Sequence, residues 1–153
     1  MEISYRENLS AIFETMLEKF SFMFCDPVSV EDIHSEETHF LRSSLAFSGP
    51  RSGVLSMMVP ARLGAVIASN VLGTDPDAED AVYNAQDAIN ELINLLVGNL
   101  LPELFGKNAL FDFGIPESAV LDETEWKKWL ADPCVLGFII DDAPALLYFA
   151  IQA

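Results

Sequence analysis

An α+β fold, with helices packed on a mainly antiparallel sheet, follows from three observations on the sequence. In several segments apolar residues recur at intervals of three and four, the period of an amphipathic helix. Elsewhere short apolar runs flank Gly/Pro/Ser or Asp/Pro clusters, as the strands of hairpins do. Hairpin-joined strands pair antiparallel, and helices covering such a sheet give the α+β class. The chain has 153 residues, 51% of them hydrophobic and 11 of them Phe, which suits one domain (1–153) with a sizeable core.

Taken in order, Leu9, Ile12, Phe13, Met16, Leu17, Phe20, Met23 and Phe24 predict an amphipathic helix over Arg6–Phe24, ending before Cys25-Asp26-Pro27. An acidic connection, Val30–Thr38, follows. His39–Phe47 and Val54–Val59 read as a hairpin across Ser48-Gly49-Pro50-Arg51-Ser52-Gly53, although their alternation is imperfect. Pro60 suits the start of a helix, Arg62–Leu72, which Gly73 caps. Thr74–Ala78, with Pro76, is a polar turn. The central helix covers Asp80–Leu101, and Pro102 predicts a kink or restart before a stop at Gly106. Ala109–Phe113 is a strand that Gly114-Ile115-Pro116 breaks and Ser118–Leu121 resumes. Glu123–Ala131 is a short helix carrying Trp126 and Trp129. Cys134–Ile140 and Ala145–Ile151 close the chain as an apolar hairpin around Asp141–Pro144.

Charge narrows the choice of partners. With 24 acidic against 8 basic residues, the formal charge is −16. Binding to a phosphate backbone needs clustered Lys and Arg, so no nucleic acid is expected, and an anionic membrane is disfavoured for the same reason. Met1–Ser4 has no basic, apolar leader, and the apolar tail is cut by Asp141-Asp142 and Pro144, so a cytoplasmic setting is expected. Cys25 and Cys134 are isolated and are expected reduced and buried. His34 and His39 are five apart, outside the helical spacing for a shared metal ligand pair, and no metal site is expected.

The central helix stands out because its polar residues do not scatter. At about 100° per residue, Asp87, Glu91, Asn94 and Gly98 fall at i, i+4, i+7 and i+11 on one narrow stripe. Asn84 and Asn90 flank it, while Ile89, Leu92, Ile93, Leu96, Val97 and Leu100 fill the far side. A helix exposed merely to be solvated carries a broad charged face. This one carries carboxylates, an amide and a glycine, and no lysine, which suits presentation to a partner. The competing reading is the wet face of a half-buried helix.

The run Asp87-x3-Glu91-x2-Asn94-x3-Gly98-Asn99 resembles the CheC/CheX/FliY family of chemotaxis phosphatases, whose signature is D-x3-E-x2-N, usually followed by G-N. The spaced glycines of the preceding hairpin, Phe47-x-Gly49-x3-Gly53, and the order of elements agree with it over nearly the whole chain. The resemblance implies a CheC-like fold and hydrolysis of the aspartyl-phosphate on a CheY-like response regulator. It implies that Glu91 docks the regulator, that Asn94 orients the attacking water, and that Asp87 supports the site. Gly98 would keep the partner's approach clear. It also implies no intrinsic cofactor, the Mg²⁺ being supplied by the regulator, and a homodimer formed through the sheets, for which the closing hairpin offers an edge.

Three departures qualify the resemblance. The first helix lacks a second motif, since Glu14 is followed by Leu17 and Glu18 by Ser21, so one site per subunit is expected, as in CheX-like members. Pro116 comes one residue earlier than the family pattern often places a proline. The acidic charge would also repel an acidic regulator unless Arg51, Lys107, Lys127 or Lys128 offsets it locally. A non-catalytic binding module, like the middle domain of the rotor switch protein FliM, is the alternative.

Overall fold

The computed structural model describes residues 3–75 and 77–152; Met1 and Glu2, read above for a leader, and Pro76 of the polar turn lie outside the described residues. The elements are α1 (Ile3–Ser21), β1 (Cys25–Val28), a 3-10 turn (Val30–Asp32), β2 (Phe40–Ser48), β3 (Ser52–Pro60), α2 (Ala61–Leu72), α3 (Ala81–Phe105), β4 (Asp112–Phe113), β5 (Glu117–Leu121), α4 (Glu123–Leu130), β6 (Val135–Ile140) and β7 (Ala143–Gln152). The strands form an antiparallel sheet in the order β1-β6-β7-β3-β2-β4, with β5 also paired to β2. Among the described residues, no helix is long and apolar enough to cross a membrane.

Two cores explain why the alternation in β2 and β3 looked imperfect. Leu41, Leu45, Phe47, Leu55, Met57 and Val59 face α1, α2 and α3 in the larger core. Their neighbours Phe40 and Met58 face the other way, into a smaller core with Ile33, Leu121, Trp126, Val135 and Leu146. A strand covered on both faces reads as a continuous apolar run and loses the polar alternate. Phe40 stacks on Trp126 with ring centroids 4.2 Å apart, which anchors α4 to the second face. A capping box starts α4: the Asp122 carboxylate accepts from the Glu125 amide, and Glu125 accepts from the Asp122 amide.

Several boundaries differ from expectation, each for a local reason. The first helix stops at Ser21 because Phe22 takes a left-handed backbone, φ 57°. Cys25–Val28 then forms β1 against β6, a strand the sequence reading missed because Asp26 and Pro27 looked like a terminator. α3 runs through Pro102 without a restart to Gly106. The carbonyl freed by the proline belongs to Gly98, on the exposed side of the helix where water can reach it. The expected strand Ala109–Phe113 shrinks to Asp112–Phe113, since Phe111 turns inward onto Phe105 and Phe47, with ring centroids 5.6 and 5.9 Å away.

The closing hairpin turns on Asp141 and Asp142 alone, at φ 49° and 65°, and Ala143 and Pro144 already pair with Ile140 and Ile139. Two consecutive positive φ values are what a tight two-residue hairpin demands, and aspartate tolerates them better than most residues. This hairpin does not form a sheet edge. β6 and β7 lie between β1 and β3, so the open edges are β1 on one side and β4/β5 on the other. Cys25 is buried as expected, whereas Cys134 is only half-buried.

Candidate functional site

The packing of α3 fixes which side of it meets solvent. Ala85, Ala88, Ile89, Leu92, Ile93, Leu96, Val97 and Leu100 are each no more than 3% exposed, pressed on the sheet and on α1 and α2. α2 approaches closely because Gly64 has no side chain: a Cβ there would meet Ala85 Cβ and Leu41 Cδ1 at 3.1 Å and Ile89 Cδ1 at 3.2 Å. The close packing of α2 on α3 thus rests on Gly64. A Cβ at Gly98 would meet nothing within 4 Å.

Asn90 fixes the helix to the sheet edge. Ser43 Oγ donates to its Oδ1 at 2.6 Å, and its Nδ2 donates to Ser118 Oγ on β5 at 3.1 Å. One turn earlier, Gln86 Nε2 donates to the Arg42 carbonyl at 3.2 Å and to Asn90 Oδ1 at 3.3 Å. Ser43 is fully buried, so this chain of bonds supplies the partner its hydroxyl requires. The sequence reading placed Asn90 beside the stripe without giving it this task. Two small hydroxyls, Ser43 and Ser118, on strands otherwise apolar or edge-like were the available signal.

With the helix held in this way, Asp87, Glu91, Asn94 and Gly98 all lie exposed along one face. Among the described residues, no side-chain hydrogen bond or ion pair holds Asp87, Glu91 or Asn94. That separates three asparagines of the helix. Asn90 is tied to the sheet, and Asn99 donates to the Leu95 carbonyl at 2.7 Å, while the Asn94 amide is free. The i, i+3 spacing of Glu91 and Asn94 puts their β carbons about 5–6 Å apart. A free carboxylate and a free amide can together bind a cation and position a water. Tyr83, 78% exposed and four residues before Asp87, continues the same row; the sequence reading left it unassigned although its spacing was legible.

The cations considered as an offset to the acidic charge lie elsewhere. Lys127 and Lys128 are on α4, which packs on the sheet face opposite α3, and Lys127 pairs with Glu123 at 3.2 Å. Arg51 is exposed in the β2–β3 turn and Lys107 just beyond α3. Among the described residues, no group of three or more His, Cys, Asp or Glu side chains is arranged to hold a metal ion.

Comparison with known proteins agrees with this arrangement. The family model described as chemotaxis phosphatase CheX matches residues 43–133, a span that contains most of β2, the stripe on α3 and β5. A chemotaxis protein CheX from Vibrio vulnificus is similar in structure, with TM-score 0.73 and 15% identity over 97% of this chain and 96% of that one. The CheX–CheY–BeF3–Mg²⁺ complex from Borrelia burgdorferi matches with TM-score 0.69 and 16% identity over 99% of this chain and 100% of that one. A FliM middle domain from Vibrio alginolyticus matches with TM-score 0.51 and 9% identity, over 97% and 90%. No curated protein matches by sequence. A model match over more than half of the chain, centred on the helix with the exposed Asp-Glu-Asn-Gly stripe, decides the question of kinship: the chain belongs to the CheX family of chemotaxis phosphatases.

Proposed function

We propose that this protein hydrolyses the aspartyl-phosphate of a CheY-like response regulator, with Glu91 docking the regulator and Asn94 orienting the attacking water. The observation that carries this reading is the pair itself: two polar side chains one helical turn apart, exposed and without partners among the described residues. The Borrelia relative in complex with CheY, BeF3 and Mg²⁺ supports a regulator as the partner here too. Asp87 supports the site one turn earlier, and Gly98 leaves room one turn later.

The chemistry needs little from this chain. An acyl phosphate is already reactive, and in-line displacement depends chiefly on a placed nucleophile and on neutralised phosphoryl oxygens. The water oxygen bonds to phosphorus as the bond from phosphorus to the aspartyl oxygen breaks. The products are the free aspartate and inorganic phosphate, which takes up the water's hydroxyl, while the water's other proton passes to the phosphate oxygens or to solvent. Mg²⁺ comes with the regulator and stabilises the charge on the transferred group. Asn94 accepts from the water through Oδ1 and donates through Nδ2, so one amide fixes the water's direction of attack. Glu91 offers a carboxylate to a cationic side chain of the regulator.

The chain acts in this reading as one domain, as a homodimer through its sheets, in the cytoplasm. The experiment follows loss of label from a phosphorylated regulator. Added protein shortens the lifetime of the phosphoryl group, and Asn94→Ala removes the acceleration while binding persists. Unchanged dephosphorylation with Asn94→Ala sinks the mechanism, and binding without acceleration by the unaltered chain makes it a non-catalytic binding module instead. A monomeric mass by light scattering counts against the dimer.

A further inference from the structure

Eight large apolar side chains stand exposed among the described residues, and five of them, Tyr83, Leu110, Phe113, Ile115 and Val120, belong to α3 or to the chain running along the β4/β5 edge. Single exposed apolar residues are ordinary, but a cluster on one rim marks a contact surface. Short strands and the charges of Asp112 and Glu117 guard this open edge against pairing with a further strand. Residues 109–121 contain no Lys or Arg, and Ile115 and Val120, 86% and 59% exposed, leave apolar area free for side-chain contact.

The rim lies directly beside the stripe. Asn90, adjacent in sequence to Glu91, bonds to Ser118, and Val120 follows two residues later on the same face of β5, about 7 Å on. At the other end Phe113 pairs with Phe47, which faces the helices. From Leu41, the partner of Val120, to Phe47, the partner of Phe113, β2 extends about 20 Å. The stripe from Asp87 to Gly98 extends about 16 Å along α3. The two run side by side.

We infer that this apolar rim, centred on Ile115 and Val120, is the second half of the surface that docks the receiver domain of the phosphorylated regulator. The inference rests on the phosphatase reading above. A globular partner that brings its phosphoryl group to Glu91 and Asn94 must cover more than a helix stripe; stable interfaces bury about 800 Å² per side. Charge points the same way. Asp87 and Glu91 lie on this flank of a chain of charge −16, so electrostatic attraction is confined to individual cationic side chains of the partner. Apolar contact then supplies the affinity, and the amide on α3 supplies the chemistry.

The test is steady-state dephosphorylation of a cognate phosphorylated regulator by the full chain. The double variant Ile115→Ser/Val120→Ser is compared with Asn94→Ala and with Phe24→Ser, an exposed aromatic beside the opposite sheet edge. The rim variant is expected to raise KM by about tenfold or more with kcat within about twofold, whereas Asn94→Ala lowers kcat, a split that separates docking from chemistry. Binding of the regulator loaded with BeF3 and Mg²⁺ weakens in the rim variant by the same factor and is unchanged in Phe24→Ser. An unaltered KM and affinity in the rim variant, with a fully active unaltered chain, overturns the surface alone. An unaltered chain that neither binds nor accelerates any regulator overturns the phosphatase reading and this surface with it.

Discussion

Replacing Gly98 separates two reasons for a glycine in the middle of a helix. Were it needed for packing, any side chain would destabilise the fold. The space around it says otherwise, because a Cβ there meets nothing within 4 Å. Glycine inside an exposed helix costs about 1 kcal/mol relative to alanine, through backbone entropy lost on folding. Gly98→Ala is therefore expected to stabilise the chain by that amount, which for a domain of this size raises Tm by about 2–4 °C. Gly98→Gln has nearly the same helix propensity and gains a similar amount. Its longer side chain, however, stands one turn from Asn94, where a regulator must approach. Thermal unfolding followed by circular dichroism reads the first effect, and kcat/KM on a phosphorylated regulator reads the second. The expected pattern is a rise in Tm for both variants, with a loss of about tenfold or more in kcat/KM for the glutamine alone. A fall in Tm for Gly98→Ala would refute the assignment of open space, and full activity of Gly98→Gln would refute the role in clearance.

Asn90→Ala leaves the fully buried Ser43 hydroxyl without its acceptor and releases β5 from α3. A loss of about 1–3 kcal/mol is expected, read as a Tm lower by several degrees; an unchanged Tm shows that the bonds contribute nothing net. Burial, with Glu14 and then Asp26 adding to it, pushes the Cys25 thiol from 9.0 up to about 12. The unfolded chain therefore gives up this proton near pH 9 while the folded chain keeps it. The stabilisation is complete below pH 9 and is lost as pH rises towards 12, by at most about 1.4 kcal/mol per pH unit. Denaturant titrations across that window should show a shallower alkaline decline for Cys25→Ala than for the unaltered chain, and equal slopes would refute the shift.

What the sequence disclosed about the fold was set by how locally each signal is encoded. α2 and α3 were legible because their buried faces repeat at the helical period and Gly73 closes α2 with φ 72°. The hairpin of β2 and β3 was legible from its turn, although the two-sided burial of Phe40 beside Leu41 blurred its alternation. β1 was hidden because its partner β6 is more than a hundred residues away, and nothing within Cys25–Val28 announces the pairing. The edge position of β4/β5 was likewise a property of topology, as was the interior place of the closing hairpin. At the site, the stripe was readable because four residues of one helix carry it. The tie from Asn90 to Ser43 and Ser118 joins three separate elements and became visible only with them assembled.

The separation between the stripe and four of the surface cavities bears on what kind of enzyme the geometry can serve. Among the described residues, these four, of about 310–430 Å³, are lined by residues other than Asp87, Glu91 and Asn94. Enzymes that act on small molecules bury their substrate in a concave site, where excluded water strengthens each polar contact. A convex helix with a free carboxylate and a free amide provides no such enclosure on its own. It gains one only when another surface closes over it, and the desolvation that gives Asn94 leverage on a water must come from the partner. The catalytic unit is then the complex. Rigid anchoring of α3, by Gly64 on one side and Asn90 on the other, matters because a protruding amide can hold a water in line only if its own backbone stays put.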